Sequence, residues 1–328
     1  MVSQNVGPEI PAGPMQQTTQ KAARQATIGI DIGGTTMDAV AINEAGKIIA
    51  SDVVHTHKGT DALQSGLRRL IDSLRESCSL ASLTVAGIGI GVPGKVNHAK
   101  GSISDALNLG VNFFDFRKFL DSYRVPVNVE NDVNAAAVAA AQTFGKKGTV
   151  VFLNMGTGLA SGVVINGRID RGISGAAGEI GHIPMDPQAL RCTCGQRGCL
   201  ETIASGSGIA RRWGTHAKYP VKDLFDHAAQ GDVTAQHIQY DLFWGAARAI
   251  QLIAQTFDPA IIALGGGVSN MGEPLLKGIL TELDRFSSES AFIRSLNIPE
   301  RLTTTTHLQH LGALGAGVAA QPQTQLNA

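Results

Sequence analysis

"GIDIGGTTMDAVAIN", residues 29–43, reads as a strand, a glycine turn and a second strand. An apolar run leads into Asp31, Gly33 and Gly34 strip the turn of side chains, Thr35 and Thr36 follow, and alternating apolar residues close the unit. Residues 152–166, "FLNMGTGLASGVVIN", repeat this plan at an offset of 123 residues: Asp31 falls on Asn154, Gly33 on Gly156, Val40 on Val163, Ile42 on Ile165 and Asn43 on Asn166. Hairpins with glycine turns are common, but the equal spacing of turn and second strand makes duplication the better reading. A turn without Cβ atoms lets backbone N–H groups approach an anion closely, and Thr35 and Thr157 add hydroxyl donors. No Gly-Lys-Ser/Thr follows and G-x-G-x-x-G is absent at both sites, so neither turn is a Walker loop or a dinucleotide fingerprint. Two such elbows facing each other would hold a polyphosphate from both sides. Asp31 would then lie near phosphate, where only a cation makes a carboxylate tolerable, and hydrated magnesium is the natural mediator.

The rest of the chain suits this reading. Its 328 residues are 43% apolar and 16% charged, with 27 Lys+Arg balancing 27 Asp+Glu. A neutral chain lacks the positive field of a sequence-independent nucleic-acid binder. No apolar run reaches the length of a membrane span. The first 26 residues lack the apolar segment of a secretory signal; they are expected to form a mobile tail, and the chain is expected to be cytoplasmic. Cys78 stands alone and the other three cysteines crowd into residues 192–199, unlike a disulfide framework.

Periodicity predicts a helix over 60–77, capped by Thr60, with Leu63, Leu67, Leu70, Ile71 and Leu74 on one face. Strands are expected over 84–94 and 125–130, and helices over 134–144 and 235–257. Residues 260–269 read as a strand running into Gly265, Gly266 and Gly267; a tight turn and a backbone floor beneath a nucleotide are both open readings. A last helix, 311–320, could return to pack on the first domain. Alternating strands and helices indicate an α/β fold of two similar halves.

Two further stretches carry chemistry. "VNVENDVNAAA" puts Asn131 and Asp132 where a strand ends and a helix begins, where such residues commonly only cap. A kinase acting on an alcohol, however, needs a carboxylate to take the hydroxyl proton, and the C-terminal end of a strand is the usual ligand-facing rim in α/β sheets. Asn131 could orient a neighbouring hydroxyl. In "GHIPMDPQALRCTCGQRGCLE", His182, Cys192, Cys194 and Cys199 form a three-sulfur, one-nitrogen set suited to structural zinc. Glu179 and Glu201 flank this unit, and paired carboxylates suit vicinal hydroxyls. One His182 nitrogen could bind zinc while the other meets a substrate hydroxyl.

Asp-x-Gly-Gly-Thr (31–35), Asn-Asp-x-Asn-Ala-Ala-Ala (131–137), Gly-Thr-Gly (156–158), "GAAGEIGH" (175–182) and "CTCGQRGCLE" (192–201) together resemble the ROK family (repressors, open reading frames and sugar kinases) from about residue 27 to about 320. The resemblance implies the actin-like ATPase fold, two ribonuclease-H-like domains closing over ATP and a hexose or N-acetylhexosamine. It implies a small domain over 27–131, completed by a C-terminal helix near 309–322, and a large domain over 132–308 carrying the zinc loop. It implies Asp132 as base and sugar contacts from Asn108, Asn131, Glu179, His182 and Glu201. ATP would be met by Gly33, Gly34, Thr35, Gly156, Thr157 and Gly158, with Gly265 and Gly266 beside the nucleotide and Asp31 at its magnesium. Mg²⁺, structural Zn²⁺ and a homodimer come with the resemblance to the family's kinases; neither nucleic acid nor membrane is expected as a partner. The chain departs from the family in having Thr36 where its kinases often have lysine, and Leu159-Ala160-Ser161-Gly162 where glycines usually run.

The main expectation is a kinase phosphorylating a hydroxyl of an aldohexose or N-acetylhexosamine, glucose or an N-acetylated hexosamine first among them. A sugar-responsive regulator is the alternative, although about 26 polar residues ahead of the first strand are too few for a helix-turn-helix. A catalytically silent sugar-binding protein is another, against which Asp31 and Asp132 both count.

Overall fold

The computed structural model describes residues 24–145 and 148–322. The expected N-terminal tail lies outside the described residues through residue 23, and Gln25 and Ala26 already belong to the first strand. Strands β1 (Gln25–Ile32), β2 (Thr36–Asn43), β3 (Ile48–His55) and β4 (Thr84–Val92) are followed by three short strands, β5 (Lys95–Asn97), β6 (Ser102–Ala106) and β7 (Val111–Asp115), and then by β8 (Val127–Asn131). The second half supplies β9 (Thr149–Met155), β10 (Leu159–Ile165), β11 (Arg168–Asp170), β12 (Ile261–Gly265) and β13 (Leu302–Thr304).

One five-stranded sheet has the order β3-β2-β1-β4-β8, a second β11-β10-β9-β12-β13, and a small third sheet β5-β6-β7. In each five-stranded sheet, the first three strands pair antiparallel and the last two join parallel. The same five-strand plan therefore occurs twice, which is the actin-like ATPase arrangement. The two hairpins differ in one respect. Ile32 pairs with Met37, leaving four turn residues, whereas Met155 pairs with Leu159, leaving three. Gly33 N–H closes its turn on the Thr36 carbonyl, while Gly156 N–H reaches the Gly158 carbonyl. The gapless offset in sequence thus conceals a one-residue slip in pairing.

Burial explains the layers. The helix Thr60–Leu80 places Leu63, Leu67, Leu70, Ile71, Leu74 and Cys78 inward, in one core with Ile28, Ile30 and Ile88 of the first sheet. Each such side chain contributes about 1.5–3 kcal/mol on leaving water. Gly59, not Thr60, is the N-cap, and no side chain bonds there. The helix Val233–Phe257 buries Leu242, Ala246, Ile250 and Ile253 in the core that holds Val151, Leu153 and Leu264 of the second sheet. The helix Asp132–Phe144 starts two residues earlier than its periodicity predicts, because Asn131 caps it.

The helix Leu311–Ala319 packs on the first sheet and against the helix Asp132–Phe144. A Cβ on Gly89 would overlap the Ala316 carbonyl, and one on Gly315 would overlap the Ala135 carbonyl. Backbone here rests on backbone, so the chain end is locked against the start of the Asp132 helix. Among the described residues, no helix is long and apolar enough to cross a membrane.

Candidate functional site

Asp31 stands one residue before the end of β1, and Asn154 holds the matching place in β9. Both line one cavity of about 250 Å³, together with Asp38, Asp132, Val133, Phe152 and Gly312. The strand ends at the bases of the two elbows therefore face a shared space. At the tips, Gly34, Thr35 and Thr157 are exposed, while Gly33, Gly156 and Gly158 are half-buried. The second elbow is fastened from behind: Gly206 N–H donates to the Gly156 carbonyl (2.8 Å) and Ser207 N–H to the Thr157 carbonyl (3.1 Å).

Burial, Asp132 and Asp38 together push the Asp31 carboxyl up to about 7. The His310 ring nitrogen Nδ1 meets Asp38 at 2.7 Å. Asp31 shares this cavity with Asp132 and the Asn154 amide, and carboxylate and amide oxygens are the donors a hard cation takes, so the chemistry of the lining around Asp31 fits magnesium. Without a cation, Asp31 weakens the fold at neutral pH. Its folded value lies above the usual 3.8, so the native state holds a proton that the unfolded chain has released. Stability falls as pH rises from about 4 through 7, and the penalty is fully present above that. In chelator, Asp31→Asn is expected to be more stable than the parent at pH 8, by no more than about 4 kcal/mol, and to lose that advantage at pH 4. Denaturant titration at both pH values checks this; an equal difference at both would refute the account of Asp31.

A larger cavity of about 940 Å³ adjoins the first, and Val133 lines both. Asn131, Ser161, Arg171 and Glu179 are among its walls. Asn131 Oδ1 accepts from Val133 N–H (2.9 Å) and Asn134 N–H (3.4 Å), so the capping role exists. Asp132 Oδ1 also accepts from Val133 N–H (3.0 Å), leaving its other oxygen outside that bond. Burial pushes the Asp132 carboxyl up, and hydrogen bonds from Val133 and Asn131 partly offset this. Burial also raises Glu179; Glu201 and Asp132 add to the rise, and His182 opposes it. Asp132, His182 and Glu201 are thus each within electrostatic reach of Glu179, gathered from three separate stretches of sequence.

Cys192 Sγ lies 3.8 Å from His182 Nδ1, and Cys194 Sγ lies 3.7 Å from Cys199 Sγ. All four ligand atoms fall within 4.8 Å of one another, and no disulfide joins the cysteines. Zinc–sulfur bonds of about 2.3 Å in a tetrahedron set sulfurs about 3.8 Å apart, so these residues fit zinc. Backbone pairing shapes the loop: Cys192 N–H donates to the Gln196 carbonyl, and Gly195 N–H to the Cys192 carbonyl. With Nδ1 turned to the sulfurs, His182 keeps Nε2 for another partner.

Glu201 does more than flank the cluster. Its Oε2 accepts from Leu159 N–H at 3.1 Å, directly behind the second elbow. A Cβ on Gly158 would come within 2.7 Å of that oxygen, so a side chain there would push the Glu201 carboxylate aside. Asn108 is exposed, and a Cβ on Gly34 would stand 3.8 Å from its Cβ, so it borders the first elbow. Gly265 is buried against Phe152 and Thr305, and a Cβ on Gly266, at φ 85°, would overlap Asn154. These two glycines brace β9 beneath the second elbow; Gly267 is the one with open space around it. Asp38 and His310 are site neighbours that the motifs did not single out.

The model of the ROK family matches residues 27–322. A glucokinase from Halalkalibacterium halodurans is 32% identical over 282 residues, 79% of this chain and 86% of that protein. An N-acetylmannosamine kinase from Citrobacter koseri is 30% identical over 302 residues, 90% of this chain and 98% of that protein. A solved ROK family glucokinase from Streptomyces griseus, in complex with glucose and AMPPNP, is similar with a TM-score of 0.69 and 28% identity, over 90% of this chain and 99% of that one.

Proposed function

We propose a function from one premise: the chain belongs to the ROK family. It is a sugar kinase that transfers the γ-phosphoryl group of ATP to a hydroxyl of a hexose or N-acetylhexosamine. The observation that carries this reading is the position of Asp132. It shares one cavity with the bases of both elbows and lies within electrostatic reach of Glu179.

The glycine elbows at 33–35 and 156–158 present backbone N–H groups and threonine hydroxyls to the phosphates. Magnesium, held beside Asp31, would neutralise charge on the phosphate oxygens. Asn108, Asn131, Glu179, Glu201 and His182 Nε2 receive the sugar's hydroxyls. The Asp132 carboxylate takes the proton of the attacking hydroxyl. The sugar oxygen so freed bonds to the γ-phosphorus, the bond to the bridging oxygen breaks, and ADP leaves. Zinc on His182, Cys192, Cys194 and Cys199 would fix the imidazole and the start of the Glu201 segment. Residues 27–131 with the C-terminal helix are assigned to one lobe and 132–308 to the other; the doubled sheet plan supports that division. The working unit is assigned as a homodimer free of nucleic acid, on the family resemblance and the neutral charge.

The test is ADP release across glucose, mannose, fructose, N-acetylglucosamine and N-acetylmannosamine. One of the aldohexoses or N-acetylhexosamines is expected to raise release well above ATP alone. No stimulation by any sugar, together with binding to a specific DNA, would replace the kinase reading with the regulator.

A further inference from the structure

Glu130 is a carboxylate at the end of a buried strand, 2% exposed, and it does not reach the Asp31 cavity. Its two oxygens divide their work. Oε1 accepts from Asn131 N–H and from the Asn134 side-chain amide, both at 3.1 Å. Oε2 accepts from Arg171 Nε at 2.7 Å and from Arg171 Nη2, a bidentate grip, and His98 Nδ1 lies 3.8 Å away. One oxygen therefore holds the helix turn that carries Asp132. The other holds a residue from the opposite sheet, just past β11.

Arg171 opens the loop that leads to Glu179. Its carbonyl accepts from Ala177 N–H (3.3 Å), closing residues 171–177 into a ring of chain. At the far end Gly178, at φ 95°, is held by Ser161 N–H donating to its carbonyl (2.7 Å). A Cβ on Gly178 would overlap the Ser161 carbonyl, so the loop lies flat on β10. Glu179 follows at once, and His182 N–H bonds the Glu179 carbonyl (3.2 Å). The near anchor of this loop is Arg171, and Arg171 is held by Glu130.

We propose that Glu130 and Arg171 are a pair of positioning residues that ties the Glu179 loop to the end of β8, where the helix turn carrying Asp132 begins, setting the distance between the groups that receive the sugar and the group that takes its proton. A buried ion pair contributes little net stability compared with an apolar replacement, so its value here is geometric. Arginine suits the role because its planar fork fixes orientation as well as distance. A misplacement of about 1 Å at a reacting centre can cost about 100-fold in rate.

The kinetic part of this inference rests on the sugar kinase reading, so the experiment has an arm that does not. Arg171→Gln, Glu130→Gln, the double variant and Arg171→Lys are compared in the full chain. Each glutamine variant is expected to lower kcat/KM for the sugar by about 10–100-fold and to leave the ATP KM and zinc content near those of the parent. The double variant is expected to be no worse than the worse single, since both act through one contact, and Arg171→Lys to recover part of the loss. Hydrogen exchange is expected to quicken in 172–178 in the glutamine variants. Unchanged exchange there, or additive losses in the double variant, would overturn the proposal. If the parent phosphorylates no sugar, the kinase reading fails by itself, and exchange still decides whether Glu130 holds the loop.

Discussion

Asp132→Asn is expected to lower kcat by about 10²–10⁴-fold while sugar affinity stays close to that of the parent. The substitution is isosteric and keeps an oxygen to accept from Val133 N–H, so the helix start survives. It removes only the capacity to accept a proton. The pH profile of the parent gives a second reading of the same residue. A general base works ionised, so the rate falls as pH falls through its pKa. Burial raises that pKa above the ordinary carboxylate value, so the acid limb of kcat/KM should lie above the range of an exposed aspartate. The same raised value makes the ionised carboxylate a burden on the fold above the unfolded pKa, so the asparagine variant should be at least as stable as the parent at neutral pH. Near-parental kcat in a folded variant would remove Asp132 from the mechanism.

How much of this was legible in the chain can be judged residue by residue. The duplicated elbow was visible because a glycine turn and its flanking strands are local in sequence, and the doubled sheet plan follows from it. The register slip was not, because pairing depends on how many turn residues lie between the strands, and the offset counts positions rather than hydrogen bonds. The zinc ligands were legible because three cysteines so close in a chain without disulfides have few other uses. The gathering of Asp132, Glu179, His182 and Glu201 rested on resemblance, since residues separated by so much chain carry no local mark of contact. Gly265 and Gly266 read equally as a floor for nucleotide or as a turn; they lie against Phe152 and Asn154 as braces. Glu130 passed unremarked, although a charge at the end of an apolar strand is itself a signal, since a carboxylate is rarely buried without partners. Asp38 and His310 meet across most of the chain, and only the fold could join them.

The second large effect is expected at the metal. Cys194 is the one exposed ligand, so Cys194→Ala opens no core cavity and reports on zinc rather than packing. The chain should carry one zinc, measurable by elemental analysis, and this variant should lose it. Thr193→Ala, an exposed neighbour that offers no ligand, should keep it. Loss of the metal should then spread along two routes. His182 loses the partner that fixes its ring, so Nε2 no longer holds its direction. Cys199 lies two residues before Glu201, whose Oε2 accepts from Leu159 N–H behind the second elbow, so a loosened loop disturbs the phosphate turn as well as the sugar groups. A ligand lost from a metal site of this kind costs at least the 10–100-fold seen when only its supporting contacts are removed, so kcat/KM for the sugar should fall by about 100-fold or more. Because Glu201 touches both sides, the KM for ATP should rise together with that for the sugar, which separates this variant from those at Arg171. Full zinc in Cys194→Ala would refute the ligand set. Zinc lost with kinetics unchanged would leave the four residues a metal site but cut its connection to the elbow.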